Sequence, residues 1–199
     1  MTSAFEEFMR QHRMTGSEKA DGYSPEVFVG LSEFEKEIVF KALESELPWS
    51  AKWLFELDKD RALTVLKNLE EKLRGNPYED VYMIQFQLVK HGGDLCYQKH
   101  MIEDYFNYPE NSKFRVLNSI ANTPVTDDLR NFLKKVILVE ADGDAVTTAS
   151  IYLLKSVGLR KTTKQEKEKY DRLMDRLCDD KIEIKNAALA NVERIEKNI

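Results

Sequence analysis

Residues 142–158 read DGDAVTTASIYLLKSVG, and residues 179–195 read DDKIEIKNAALANVERI. The two openings stand 37 residues apart, and each places aspartates ahead of an apolar run. Aspartate suits that place because its carboxylate accepts the unpaired N–H groups of a helix start. Behind the acids, Val146, Ala149, Leu153 and Val157 recur at helical spacing, as do Ile184, Ala188, Val192 and Ile195. A helix entered through a tight acidic link reads as the second member of an antiparallel pair. One such pair buries only one face, so pairs must stack to complete a core. The expectation is an all-α protein, a short irregular α-solenoid of about four to five antiparallel helix pairs.

The pattern extends outward from these two stretches. Thr163 followed by Glu166, and Ser32 followed by Glu35, make capping boxes. Helices are predicted over 32–46, 58–74, 77–91, 94–106, 111–121, 126–139, 145–157 and 163–177, with a short apolar turn around Trp49 and Trp53. Gly75-Asn76-Pro77, Gly92-Gly93 and Asn122-Thr123-Pro124 punctuate them. Phe34, Ile38, Ala42 and Leu43 mark the inward face of 32–46, and Leu129, Phe132, Leu133, Val136 and Ile137 that of 126–139. Residues 1–30 read as an irregular N-terminal segment, a mobile arm or a cover for the first helix pair. Residues 31–199 read as a single helical-repeat domain.

Asp-rich turns before helices with small inward residues resemble the HEAT-like repeat family of α-solenoids. The match is best over Asp179–Ile195, where Ile184-Lys185 and Ala187-Ala188 stand in the family's places. It is fair over Asp142–Gly158, partial over Asp58–Leu69 and poor over Asn111–Ile120. The resemblance implies a shallow superhelix whose concave side binds another macromolecule. At the level of fold and size there is a further analogy to bacterial toxin-immunity proteins.

Composition narrows the classes. Of 199 residues, 42% are apolar and 33% charged, which fits a folded domain and not a disordered one. The first 50 residues carry ten acids against five bases, and the chain as a whole is at −5. An acidic front argues against nucleic acid and suits a basic partner. No apolar run of about eighteen residues suggests a membrane span, and no secretory leader is visible at the N-terminus, so a cytoplasmic protein is expected. Cys96 and Cys178 read as reduced thiols.

No self-evident catalytic site emerges, and neither a cofactor nor a metal is expected. Asp142 and Asp144 open like a calcium loop, but Leu153 stands where the bidentate acid belongs. His12, His91 and His100 are scattered. Two constellations remain. Tyr78, Tyr82, Tyr97, Tyr105 and Tyr108, with Glu103 and Asp104, form an aromatic and acidic set suited to a basic protein, possible hot spots because tyrosine gives a large amphipathic contact. Trp49, Lys52, Trp53 and Asp58 could stack and hold a nucleobase, as in HEAT-like DNA glycosylases for alkylated bases. The functional expectation is a non-catalytic protein-binding module, most specifically an immunity-type protein that neutralises a cognate toxin. The alternatives are the glycosylase and a regulatory adaptor or scaffold.

Overall fold

The computed structural model describes residues 1–197. Among the described residues there are twelve α-helices, two short 3-10 turns and no strand. Neighbouring helices pack on one another in pairs, as an all-α repeat requires. The chain divides into two compact units, Met1–Asp94 and Leu95–Ile199.

The first unit contains α1 (Ser3–His12), α2 (Gly16–Ala20), a 3-10 turn (Pro25–Phe28), α3 (Glu33–Glu44), α4 (Ala51–Leu54), α5 (Lys59–Leu73) and α6 (Val81–Gly92). The segment read as irregular thus begins with a helix of ten residues. Thr2 caps it, its hydroxyl accepting from the Phe5 N–H at 3.2 Å. Phe5 and Phe8 carry its buried face, and α1 packs on α3 and on the 3-10 turn. The two ends of α1 are tied near the two ends of α3. At the start, the Thr2 N–H and hydroxyl donate to the Glu35 carboxylate at 2.6 and 3.1 Å. At the finish, His12 Nδ1 lies 3.0 Å from Glu46 Oε1, just past the C-terminus of α3. Helices α1 and α3 therefore run side by side in the same direction.

The inward face of α3 is rotated from the one expected. Phe34 is 77% exposed, and Ile38 and Ala42 are only half-buried. The buried stripe is Glu35, Val39 and Leu43, flanked by Phe40. A glutamate can occupy an inward position because its carboxylate is supplied with donors. The Ser32 N–H and hydroxyl each donate to it at 2.9 Å, in addition to Thr2. These bonds, the Ser32 N–H first and the Thr2 N–H next, hold the Glu35 carboxyl down at about 2. Fully burying an apolar side chain such as Val39, Phe40 or Leu43 contributes roughly 1.5–3 kcal/mol.

Helix α5 repeats the device. Asp58 caps it, accepting from the Arg61 N–H at 3.0 Å, and its buried stripe is Ala62, Leu66 and Glu70. Gln85 of α6, itself fully buried, donates to Glu70 Oε1 at 2.9 Å. Helix α6 begins at Val81 and not at Pro77, because residues 77–79 form a turn and Asp80 sits at φ 46°. Val81, Ile84, Gln85, Leu88 and Val89 are buried at helical spacing, with Tyr82 and Gln87 beside them.

The second unit contains α7 (Cys96–Asp104), a 3-10 turn (Tyr105–Asn107), α8 (Glu110–Ala121), α9 (Asp127–Val139), α10 (Gly143–Ser156), α11 (Lys164–Leu177) and α12 (Ile182–Glu196). Packing runs in chain order: α7 on α8, α9 on α10, α10 on α11, α11 on α12. Contacts of α8 with α10, and of α9 with α12, tie one pair to the next. Leu129, Phe132, Leu133, Val136 and Ile137 are all buried, as are Val146, Ala149, Leu153 and Val157. Caps fall where the acids and threonines predict. Thr126 accepts from the Leu129 N–H at 3.1 Å, Asp142 from the Asp144 N–H at 3.0 Å, and Thr163 from the Glu166 N–H at 3.2 Å. Asp179 acts one step earlier, accepting from the Lys181 N–H at 2.8 Å in the turn before α12.

Buried Gln98 of α7 fixes the loop into α9. It donates to Thr123 Oγ1 at 2.6 Å and to the Pro124 carbonyl at 2.7 Å, and accepts from the Thr126 hydroxyl at 2.7 Å. A Gln side chain with all three of these partners fixes the loop and the cap together.

Candidate functional site

The first unit gathers aromatic rings where three of its segments meet. Phe8 of α1 stacks on Tyr23, ring centroids 4.8 Å apart. Tyr23 meets Trp53 edge-on at 5.2 Å, and Trp49 lies 4.7 Å from Trp53. The Trp53 indole N–H donates to the Tyr23 carbonyl at 3.2 Å, so the ring is fixed at both its face and its polar edge. Gly22 makes this approach possible. It sits at φ +84°, and a Cβ there would lie 2.3 Å from Trp53 Cζ2.

A charged network closes one side of the ring cluster. The Tyr23 hydroxyl donates to Glu46 Oε2 at 2.6 Å and accepts from Lys19 Nζ at 2.7 Å. Lys19 also donates to Glu46 Oε1 at 2.6 Å. With the phenolic proton directed at Glu46, His12 Nδ1 faces two acceptors, the Tyr23 oxygen at 2.9 Å and Glu46 Oε1 at 3.0 Å. His12 therefore carries its hydrogen on Nδ1. Burial first, and then the Glu46 carboxylate, push the Tyr23 phenol well above its usual value. A phenol held neutral by such partners serves as a clasp and not as a base at neutral pH.

Trp53 also borders a cleft of about 250 Å³, lined in part by Tyr23 and Phe28. Its rim carries Lys52, Lys90 and His91, with Glu56 the one carboxylate among the lining residues. The Lys52 ammonium stands 4.0 Å over the Trp53 ring. His91 stacks on Phe55 at 3.9 Å with the planes 8° apart. Burial, then the charges of Lys90 and Lys59, hold the His91 imidazole below its usual value, so it is neutral at pH 7. This rim reverses the sign of its surroundings, because residues 1–94 carry 18 acids against 12 bases, a net −6.

The residues singled out from the sequence are distributed as follows. Trp49, Lys52 and Trp53 come together in the ring cluster, while Asp58 is occupied as the cap of α5. Of the tyrosines, Tyr78 is 82% exposed, whereas Tyr82, Tyr97, Tyr105 and Tyr108 are buried. Tyr105 meets Phe106 and Phe132 edge-on, both at 5.0 Å. Burial, and next the carboxylates of Glu140 and Glu110, push its phenol up. Near it Lys113 and Glu140 form an ion pair at 3.1 Å with side chains 12% and 7% exposed. Glu103 is exposed at the end of α7 and Asp104 half-buried. Sequence reasoning missed Tyr23, Phe28, Lys90 and His91, which reach the cleft from separate segments.

Among the described residues no group of three or more His, Cys, Asp or Glu side chains could hold a metal ion, and no helix is long and apolar enough to cross a membrane. Compared with known proteins, the chain matches no family model, no curated protein and no solved structure.

Proposed function

We propose that the chain is a non-catalytic protein-binding module built on HEAT-like helix pairs, and most specifically an immunity-type protein that holds and neutralises a cognate toxin. The observation that supports this reading is the chain-order packing of α7 to α12 in the second unit. Pairs stacked in sequence spend one face of each helix on the neighbour and leave the other faces for a partner. On those outer surfaces Phe114, Val139 and Ile151 stay 48%, 61% and 42% exposed. The net −6 of the first unit would steer a basic partner toward the molecule.

The test begins with capture of partners from the native host on the immobilised chain, beside the Glu103→Lys, Asp104→Lys double variant. The reading expects one basic protein, released by salt and retained less by the variant. Co-expression of that protein with this chain should then relieve its toxicity. Tight, salt-sensitive binding of duplex DNA by the chain itself would overturn the reading in favour of a nucleic-acid enzyme. A captured protein that harms no cell on its own would mark an adaptor instead.

A further inference from the structure

We infer that the cleft beside Trp53 is a binding site for a small aromatic anion, a single-ring carboxylate or phosphate ester. Its walls are rings set at fixed angles. Trp53 is held by its bond to the Tyr23 carbonyl and by the close approach of Gly22, so the apolar surface is already in place before a ligand arrives. A volume of about 250 Å³ is slightly below the usual range for drug-sized ligands, and it suits one ring with a short substituent.

The rim sets the sign of that substituent. Lys52 and Lys90 supply two ammonium groups, and Glu56 alone opposes them. Lys59 adds to the positive field, since its charge, with that of Lys90, is felt at His91. Lys52 and Lys90 are exposed at the mouth of a concave site, and a local excess of positive charge inside a unit of the opposite sign draws an anion to that opening. The neutral imidazole of His91, flat against Phe55, offers a hydrogen-bonding edge without adding charge. A ring would rest against Phe28 and Trp53 while its anionic group met Lys52 and Lys90. Nothing in this arrangement depends on the protein-binding reading, which rests on the second unit's packing and on the net charge.

The chain's two tryptophans, Trp49 and Trp53, both lie in this ring cluster, so intrinsic fluorescence reports on it directly. The probes are benzoate and phenyl phosphate, with benzyl alcohol and inorganic phosphate as the uncharged and ringless counterparts. The expected result is a saturable change with at least one of the two aromatic anions and none with either counterpart. Which anion binds tells a carboxylate site from a phosphate site. Lys52→Met with Lys90→Met keeps the apolar stems and should weaken binding about tenfold or more. Glu56→Gln should tighten it, and this variant keeps the test decisive should the double variant fold poorly. No saturable change up to about 10 mM of either anion would overturn the inference. So would equal binding of benzyl alcohol, or affinity unmoved by the lysine and Glu56 changes.

Discussion

The two units solve the same problem, a small helical core, with different buried polar chemistry. In Met1–Asp94 the inward stripes of α3 and α5 include glutamates, Glu35 and Glu70. Glu35 is met by Ser32 and Thr2, and Glu70 by Gln85. In Leu95–Ile199 the buried polar residues are the neutral Gln98, Ser112, Thr123 and Ser150, and the shielded Glu140 carboxylate has a lysine beside it. The difference shows where each unit is vulnerable. Glu35, whose donors hold its carboxyl low, loses part of that hydrogen bonding on protonation, whereas a neutral amide does not titrate. The first unit should be the acid-sensitive one, and the second should depend on apolar packing and on one amide knot.

Substitutions can break this contrast, and packing should dominate. Leu133→Ala, at a fully buried position of α9, should cost about 2–5 kcal/mol, read as a lower denaturant midpoint with faster amide exchange across 127–157. Gln98→Ala comes next. It removes a donor from Thr123 Oγ1 and from the Pro124 carbonyl and the acceptor of the Thr126 hydroxyl, and should cost about 1–3 kcal/mol in chemical denaturation. Thr163→Ala removes an exposed cap from α11 and should cost about 0.5–2 kcal/mol, seen as fraying at 164–167 by exchange. Lys36→Ala removes an exposed ion pair with Glu33 at 2.7 Å and should move the midpoint by less than about 0.5 kcal/mol.

The second unit was the more legible in sequence. In α9 and α10 the inward residues follow apolar periodicity, with buried Ser150 the polar exception, so these stripes could be named residue by residue, whereas Ile184 and Ile195 of α12 are only half-buried. The first unit hid its stripe behind a charge. Glu35 sits at the inward position of α3 because Ser32, three residues earlier, and Thr2, 33 residues earlier, both bring donors to it. Periodicity alone assigned that face to Phe34, one position away. The N-terminal helix was obscured for the same reason, since α1 is short and its docking depends on Glu35 and Glu46. The aromatic cleft was half visible: Trp49, Lys52 and Trp53 are close in sequence. Tyr23, Phe28, Lys90 and His91 are brought in by folding. The tyrosine set shows the converse limit. Spacing alone does not separate a buried ring such as Tyr105 from an exposed one such as Tyr78.

Acid unfolding followed by amide exchange tests the contrast most directly. Glu35 and Glu7 are held at about 2 against an ordinary 4.5, Glu35 chiefly by the Ser32 and Thr2 N–H groups and Glu7 by Arg10. Glu37 is also held low, by Arg61. A carboxylate with a depressed value stabilises the fold fully above its unfolded value and loses that contribution as pH falls through its folded one. Glu166 is also held low in the second unit, by Thr162 and Thr163, but it belongs to an exposed cap, so protection in residues 1–94 should decline between pH 4.5 and about 2, ahead of residues 95–199. Glu35→Gln should be less stable at neutral pH and flatten the decline around α1 and the start of α3. Simultaneous loss of protection in both units, with the same acid profile in Glu35→Gln as in the unaltered chain, would contradict the account.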